Sequence, residues 1–102
     1  MKQLPQKILL CGHLYEIQLL DMSDSDYNGR ISYSDKTIKI EEKLSLLWQW
    51  EILGHEIIHA FLERAGLGGE RAPIAMDSEQ LGCLLGYQLG ELLSRETLEA
   101  PK

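Results

Sequence analysis

Hydrophobic and polar residues alternate through the first forty positions with the period of two that is typical of β-strands. A short apolar run covers residues 7–10, residues 14–20 alternate, and two further runs at 30–33 and 37–40 flank the polar residues 34–36. Runs of this length and period predict strands, and the last two predict a hairpin. Three to four strands are therefore expected before residue 41.

The pattern changes to a long, nearly continuous apolar segment from residue 44 to residue 66. Ser45 is a suitable N-cap, and Gly66 stands where a glycine commonly follows the last helical turn. We predict a helix over about 45–65. Because its apolar residues lie on almost every side, including Trp48 and Phe61, we expect this helix to be central and buried.

A second helix is predicted over about 78–93, capped by Asp77 or Ser78. Gly82, Gly86 and Gly90 recur at every fourth position, which places them on one face of this helix. Each glycine costs about 1 kcal/mol relative to alanine inside a helix, so three on one face indicate close approach of another backbone. We expect that face to press against the first helix. The polar tail from residue 94 onward is expected to fray.

These elements predict an α+β fold of one domain spanning residues 1–102. A small antiparallel or mixed N-terminal sheet of three to four strands would pack on the central helix, and the second helix would follow. The chain is long enough for one modest core but too short for two.

Composition narrows the classes of function. The 10 basic and 16 acidic side chains give a net charge of −6, which disfavours nucleic acid and anionic membranes as partners. No N-terminal signal pattern and no apolar stretch of membrane-spanning length is present, so a cytoplasmic location is the expectation. Cys11 and Cys83 are 72 positions apart in the chain and predict two buried free thiols.

The candidate chemistry lies in the middle of the first helix, as the motif His-Glu-Ile-Ile-His at residues 55–59. Residues four apart on a helix differ by about 40° in direction, so His55 and His59 can reach one metal ion. Glu56 would lie beside the ion without ligating it, where it can act as general base on a metal-activated water. The motif therefore predicts a catalytic zinc site.

A catalytic zinc usually takes three protein ligands, and the third must come from elsewhere in the chain. Glu79 has the strongest claim because it opens the second helix on the glycine face. Asp77 and Glu70 are alternatives, and His13 is the only other histidine. Glu51, one turn before the motif, could instead support a ligand from behind.

The loop at 21–29 carries Asp24, Asp26 and Asn28, a pattern that superficially suggests a calcium loop. It lacks a glutamate at the spacing that an EF-hand requires. We therefore expect a solvated loop here.

The order of elements, the sequence Ile-Leu-Gly-His-Glu-Ile-Ile-His-Ala-Phe at 52–61 and the helix opening Asp-Ser-Glu-Gln-Leu at 77–81 resemble a known group of enzymes. These are the compact gluzincin-type zinc metallopeptidases of bacteria and phages, including the minigluzincins and the related ImmA/IrrE-type proteins. The resemblance covers roughly residues 8–93. It implies a small sheet packed on the active-site helix and a glutamate ligand from the following helix. By this match His55 and His59 are the metal ligands, Glu56 is the general base, and Glu79 is the downstream glutamate ligand.

The resemblance also implies a residue that steadies the oxyanion, for which Tyr33, Tyr87 and His13 are candidates. An edge strand of the sheet, expected in the hairpin 30–40, would hold a peptide by strand addition. The leading hypothesis is thus a zinc metallopeptidase acting on a peptide or protein. One alternative is a zinc-containing regulatory or binding module with weak or no turnover. Another is a helical core whose histidines bind no metal.

Overall fold

The computed structural model of the chain describes residues 2–65, residue 80 and residues 82–98. Its four strands are β1 (Lys7–Leu10), β2 (His13–Leu20), β3 (Gly29–Ser32) and β4 (Thr37–Glu41). They are followed by helix α1 (Leu46–Arg64), a π-helical turn (Gly82–Gly86) and helix α2 (Tyr87–Leu98). The fold is α+β, with a mixed N-terminal sheet followed by two helices, as the hydrophobic pattern predicts.

The sheet has the strand order β1-β2-β4-β3. The pairs β1/β2 and β3/β4 are antiparallel, and β2/β4 is parallel. The predicted hairpin is confirmed as β3 and β4, and β3 forms one edge of this sheet. A two-residue turn joins β1 to β2, where Cys11 and Gly12 have φ angles of 51° and 83°. Positive φ at both positions is what the favoured hairpin turns require.

The core lies between the inner face of the sheet and helix α1. Alternate residues of the two central strands point inward, so Ile38 and Ile40 are fully buried and Tyr15 is 5% exposed. Helix α1 meets them with Leu53, which is also fully buried. The cluster as a whole is apolar and consists of Leu10, Tyr15, Ile17, Ile38, Ile40, Trp50, Ile52, Leu53, Ile57 and Ala60.

Helix α1 begins as its sequence predicts, because the Ser45 side chain accepts a hydrogen bond from the Trp48 backbone N–H at 3.3 Å. Its middle is buried, but the expectation of burial on every side is wrong at the ends. Trp48 is 49% exposed and Phe61 is 44% exposed. Apolar composition alone does not fix burial, since a folded protein's surface also contains large apolar side chains.

The second helical segment packs against α1 through its glycines, as predicted. A side chain on Gly54 would collide with the Gly86 carbonyl and the Gly90 backbone, so the two helices touch main chain to main chain. The expectation that the tail frays from residue 94 is wrong up to Leu98. Helix α2 continues to that residue, and Ser94 is 1% exposed with its hydroxyl donating to the Glu91 carbonyl at 2.6 Å. No described helix is long and apolar enough to span a membrane.

Candidate metal and catalytic site

The two motif histidines lie one turn apart on α1 and point to the same place. Their Nε2 atoms are 3.0 Å apart, and their ring centroids are 4.7 Å apart at 64°. Two nitrogens bound to one tetrahedral zinc at about 2.0–2.1 Å would be about 3.3 Å apart. The His55 and His59 rings therefore need to move only by a few tenths of an ångström to share an ion.

Glu56 lies beside this pair in a buried position. Glu56 is 6% exposed, and its Oε2 atom is 4.0 Å from Nε2 of His55. Strand β3 approaches it closely through Gly29. A Cβ on Gly29 would lie 3.3 Å from that carboxylate oxygen and would collide with the Ile52 side chain. The absence of a side chain at Gly29 is what allows the edge strand to pack directly over the motif.

A cavity of about 410 Å³ opens above the motif between the sheet edge and the second helix. Its lining combines the β2–β3 loop, the edge strand and both helices, and consists of Asp26, Tyr27, Asn28, Gly29, Arg30, Ile31, Tyr33, Ile52, His55, Glu56, His59, Cys83 and Tyr87. The β2–β3 loop is exposed to solvent, as expected, and it also forms one wall of this cavity.

Glu41 holds that wall in place from the end of β4. Its carboxylate accepts hydrogen bonds from the backbone N–H groups of Met22 at 3.0 Å and Lys43 at 2.9 Å. Its own backbone N–H donates to the Asn28 carbonyl at 2.8 Å. Because Glu41 binds both ends of the loop, the position of the loop relative to α1 is fixed by the sheet.

The second helical segment packs directly against His55. A Cβ on Gly82 would lie 2.9 Å from Cε1 and 3.2 Å from Nε2 of the His55 ring. A Cβ on Gly86 would collide with the His55 backbone. The π-helical turn that contains both glycines thus lies flush against this histidine, and wide turns of this kind often occur at functional sites.

Two tyrosines line the cavity near the motif. Burial, with smaller contributions from the carboxylates of Glu63 and Glu56, raises the pKa of Tyr33 to about 12. Its phenol is therefore protonated at neutral pH and available as a hydrogen-bond donor. The Tyr87 ring centroid is 5.6 Å from that of His55, and its hydroxyl is 3.9 Å from Cys83 Sγ. Of the three candidates for steadying an oxyanion, Tyr33 and Tyr87 line this cavity, and His13 does not.

Of the candidates for a third ligand, Glu79, Asp77 and Glu70 all lie outside the described residues. No three His, Cys, Asp or Glu side chains within the described ranges are grouped closely enough to hold a metal ion. His13 is placed away from the motif, in a second cavity beside Lys36, so it does not join the two helix histidines. Of the predicted metal ligands, the described residues therefore contain His55 and His59.

Two other expectations concern Glu51 and the two cysteines. The Cα of Glu51 lies against Gly90, and Glu51 is not among the described residues that line the main cavity, so its support of a ligand stays a prediction. Cys11 and Cys83 are free thiols, as expected, but both are exposed rather than buried. Cys83 lines the main cavity, whereas Cys11 lines the second one.

Two structural residues of the site are absent from the sequence-based prediction, Gly29 and Gly54. Gly29 was expected at the end of a loop but is the first residue of β3, and Gly54 forms the other half of the helix contact. A glycine inside a helix often marks close approach of another backbone, and the sequence carries that signal at Gly54. At Gly29 the predicted loop already explained the glycine.

No protein-family model matches the chain, and no curated protein or solved structure matches it either. The case for a function therefore depends on the residues of the site itself.

Proposed function

We propose that this protein is a zinc-dependent metallopeptidase of the gluzincin type that hydrolyses a peptide or protein substrate. Its metal ligands are His55, His59 and Glu79, and Glu56 is its general base. The observation that carries this proposal is the convergence of the two Nε2 atoms, 3.0 Å apart, with the buried Glu56 carboxylate 4.0 Å away.

The donor set suits zinc. Imidazole nitrogens and a carboxylate are common zinc ligands, and a catalytic site keeps one position open for water. When bound, zinc would make an attacking water more acidic and would polarise the carbonyl of the scissile bond. A structural zinc site needs no unligated carboxylate beside its ligands, so the presence of Glu56 at this position favours catalysis.

The chain's own groups divide the remaining work. Glu56 takes a proton from the attacking water and passes it to the leaving amine. The phenol of Tyr33 or Tyr87 donates a hydrogen bond to the oxygen that becomes negatively charged. The outer edge of β3, which no described strand pairs and which lies beside the cavity, binds the substrate backbone as an added strand. These assignments leave the helix–sheet core as a rigid support for Glu56 and the histidines.

The deciding experiment compares the wild type with Glu56→Gln, purified without a histidine tag. We expect about one zinc per chain in both, measurable peptidase activity in the wild type, and a loss of at least about a hundredfold in the variant, as for removal of a general base. Glu42→Gln, which changes an exposed carboxylate just before α1, is the matched control and should keep full activity.

Each alternative predicts a different result. A zinc-containing binding module would retain the metal in both proteins and show the same negligible turnover. A helical core without a metal role would contain well under half an equivalent of zinc in the wild type. Activity that survives in Glu56→Gln would contradict the assignment of the general base.

A further inference from the structure

A second cavity, of about 220 Å³, lies next to the candidate active site. It is formed by the β1–β2 turn, the β3–β4 turn and the C-terminal half of α1. Tyr33 lines both cavities. His59 lines the first, and Glu63, one helical turn further along α1, lines the second. The two cavities are therefore neighbours on either side of one tyrosine.

Strand β3 leads from one cavity to the other. It begins at Gly29, beside Glu56, and ends at Ser32, after which Tyr33 starts the turn to β4. An extended peptide paired with the edge of β3 would rise about 3.3 Å per residue. A substrate residue about four positions from the one beside Glu56 would therefore reach Tyr33, the residue that the two cavities share.

The second cavity carries more positive than negative charge, although the whole chain carries a net charge of −6. Lys36 and Arg64 are cationic, Glu63 is anionic, and His13 adds a further hydrogen-bonding nitrogen. Arg64 is in the last turn of α1, where it also interacts with the partly negative carbonyl end of the helix. The partly buried Lys36 is therefore the main cationic group for a ligand.

Lys36 is held in a defined position. Its ammonium donates a hydrogen bond to the Tyr33 carbonyl at 2.6 Å and lies 5.7 Å from the centre of the Tyr15 ring. An ammonium has three donors, so this bond leaves two for a ligand. The volume of the cavity is below that of a typical small-molecule site and suits a single side chain or a chain terminus.

We propose that the second cavity binds a carboxylate of the peptide whose backbone lies along β3, with Lys36 as its principal partner. The carboxylate belongs either to an aspartate or glutamate side chain or to the C-terminus of the substrate. This inference rests on the proposed peptidase function and gives it a substrate class, namely peptides with an acidic group within about four residues of the scissile bond.

The first test measures binding without turnover, in the zinc-loaded Glu56→Gln protein, by the NMR shifts of backbone amides. N-acetylaspartate amide represents an acidic side chain, and N-acetylglycine represents a C-terminal carboxylate. N-acetylasparagine amide is the neutral control for the first probe. We expect at least one acidic probe to shift the amides of Cys11, Lys36 and Glu63 at lower concentration than the neutral probe. The acidic probe that does so identifies the source of the carboxylate.

Adding Lys36→Gln to this protein should raise the Kd of that acidic probe about fivefold, which corresponds to a loss of about 1 kcal/mol of binding free energy. Lys39→Gln is the matched control, because Lys39 is an exposed lysine on β4 that does not line the cavity, and it should leave binding unchanged. The proposal is overturned if the neutral probe binds equally well or if Lys36→Gln has no effect. It is also overturned if the acidic probes shift only amides near His55 and His59.

The second test uses the active enzyme and a pair of peptide substrates that differ only in Asp against Asn at the position reaching Lys36. Lys36→Gln should lower kcat/KM for the Asp peptide about fivefold and leave the Asn peptide unchanged. Equal effects on both peptides would contradict the proposal. If the wild type cleaves neither peptide, the proposed peptidase function is contradicted. The carboxylate site is then tested by the NMR experiment alone.

Discussion

The ring of His55 packs against a residue of the π-helical turn, Gly82. A Cβ at Gly82 would lie 2.9 Å from Cε1 of the ring, a distance that a side chain does not tolerate. The ring is the movable partner in this contact, so the cost of adding a methyl group should fall on metal binding rather than on folding.

Gly82→Ala should raise the Kd for zinc about tenfold. The added methyl group would displace the His55 ring, and changes in the residues that orient a metal ligand typically lower metal affinity by at least about that factor. The free energy of unfolding of the metal-free protein should change little. Leu85→Ala, on the exposed side of the same π-helical turn, is the control and should bind zinc like the wild type. Competition with a zinc-binding dye measures each Kd. An unchanged Kd in Gly82→Ala would show that the ring position tolerates the methyl group.

Tyr33 provides a prediction for alkaline pH. Its pKa is raised from 10.0 to about 12 in the folded protein, chiefly by burial. The fold therefore favours the protonated phenol. The resulting stabilisation is fully present below pH 10 and is lost as the pH rises from 10 through about 12.

Chemical unfolding of the metal-free protein at several pH values tests this dependence. The difference in unfolding free energy between the wild type and Tyr33→Phe should be constant below pH 10. Above pH 10 the unfolding free energy of the wild type should fall relative to that of the variant. Tyr27→Phe removes a phenol that is 60% exposed and serves as the control. An ultraviolet titration of the folded wild type that contains no phenol with a pKa near 12 would contradict the assignment.

At the scale of elements, the glycine face of the second helix determines how close the two helices lie. A Cβ at Gly90 would collide with the Trp50 carbonyl and would lie 2.6 Å from the Glu51 Cα. Both obstacles are backbone atoms of α1, so a rotamer change cannot relieve the contact. The nearest atoms to that Cβ belong to Trp50 and Glu51 and not to a histidine, so we expect the change to act mainly on helix packing.

Gly90→Ala should therefore destabilise the protein by about 2 kcal/mol, the usual cost of overpacking. Helix propensity alone would have the opposite effect on stability, because it favours alanine over glycine by about 1 kcal/mol. Gln88→Ala, an exposed position on α2, is the control. Urea unfolding distinguishes the two effects, since propensity alone would make Gly90→Ala more stable than the wild type.

The elements that the sequence predicts well are those with a strong local signal. The β3/β4 hairpin follows from its alternating residues, and α1 begins after Ser45 because a side-chain cap is encoded locally. The π-helical turn at Gly82–Gly86 and the helical state of residues 94–98 were not predicted. Both depend on contacts with α1 and the rest of the fold, and tertiary packing overrides local propensity there.

At the scale of the whole molecule, the site requires parts of the chain that are distant in sequence. The motif supplies His55, Glu56 and His59 from one helix, and that much follows from its spacing. The cavity walls come from the β2–β3 loop and from Tyr87, which no local pattern links to the motif. Their proximity results from the parallel pairing of β2 with β4 and from the glycine contact between helices.

Metal binding should therefore stabilise the assembled fold, because the ligands are brought together only when the chain is folded. A ligand that binds only the folded state stabilises it by about 4 kcal/mol when its free concentration is a thousand times Kd. For a domain of this size, each kcal/mol corresponds to about 4–8 °C in Tm. We expect a chelator to lower the Tm of the wild type by more than about 10 °C relative to zinc-saturated protein.

The same measurement assigns the third ligand. Glu79→Ala should lose most of the zinc-dependent rise in Tm, as should His59→Ala, because each removes a bond to the ion. Asp77→Ala and Glu70→Ala should retain the zinc-dependent rise in Tm. A full zinc response in Glu79→Ala together with its loss in Asp77→Ala would transfer the ligand role to Asp77. Because the chelated variants are compared with the chelated wild type, a general loss of stability is separated from a loss of zinc binding.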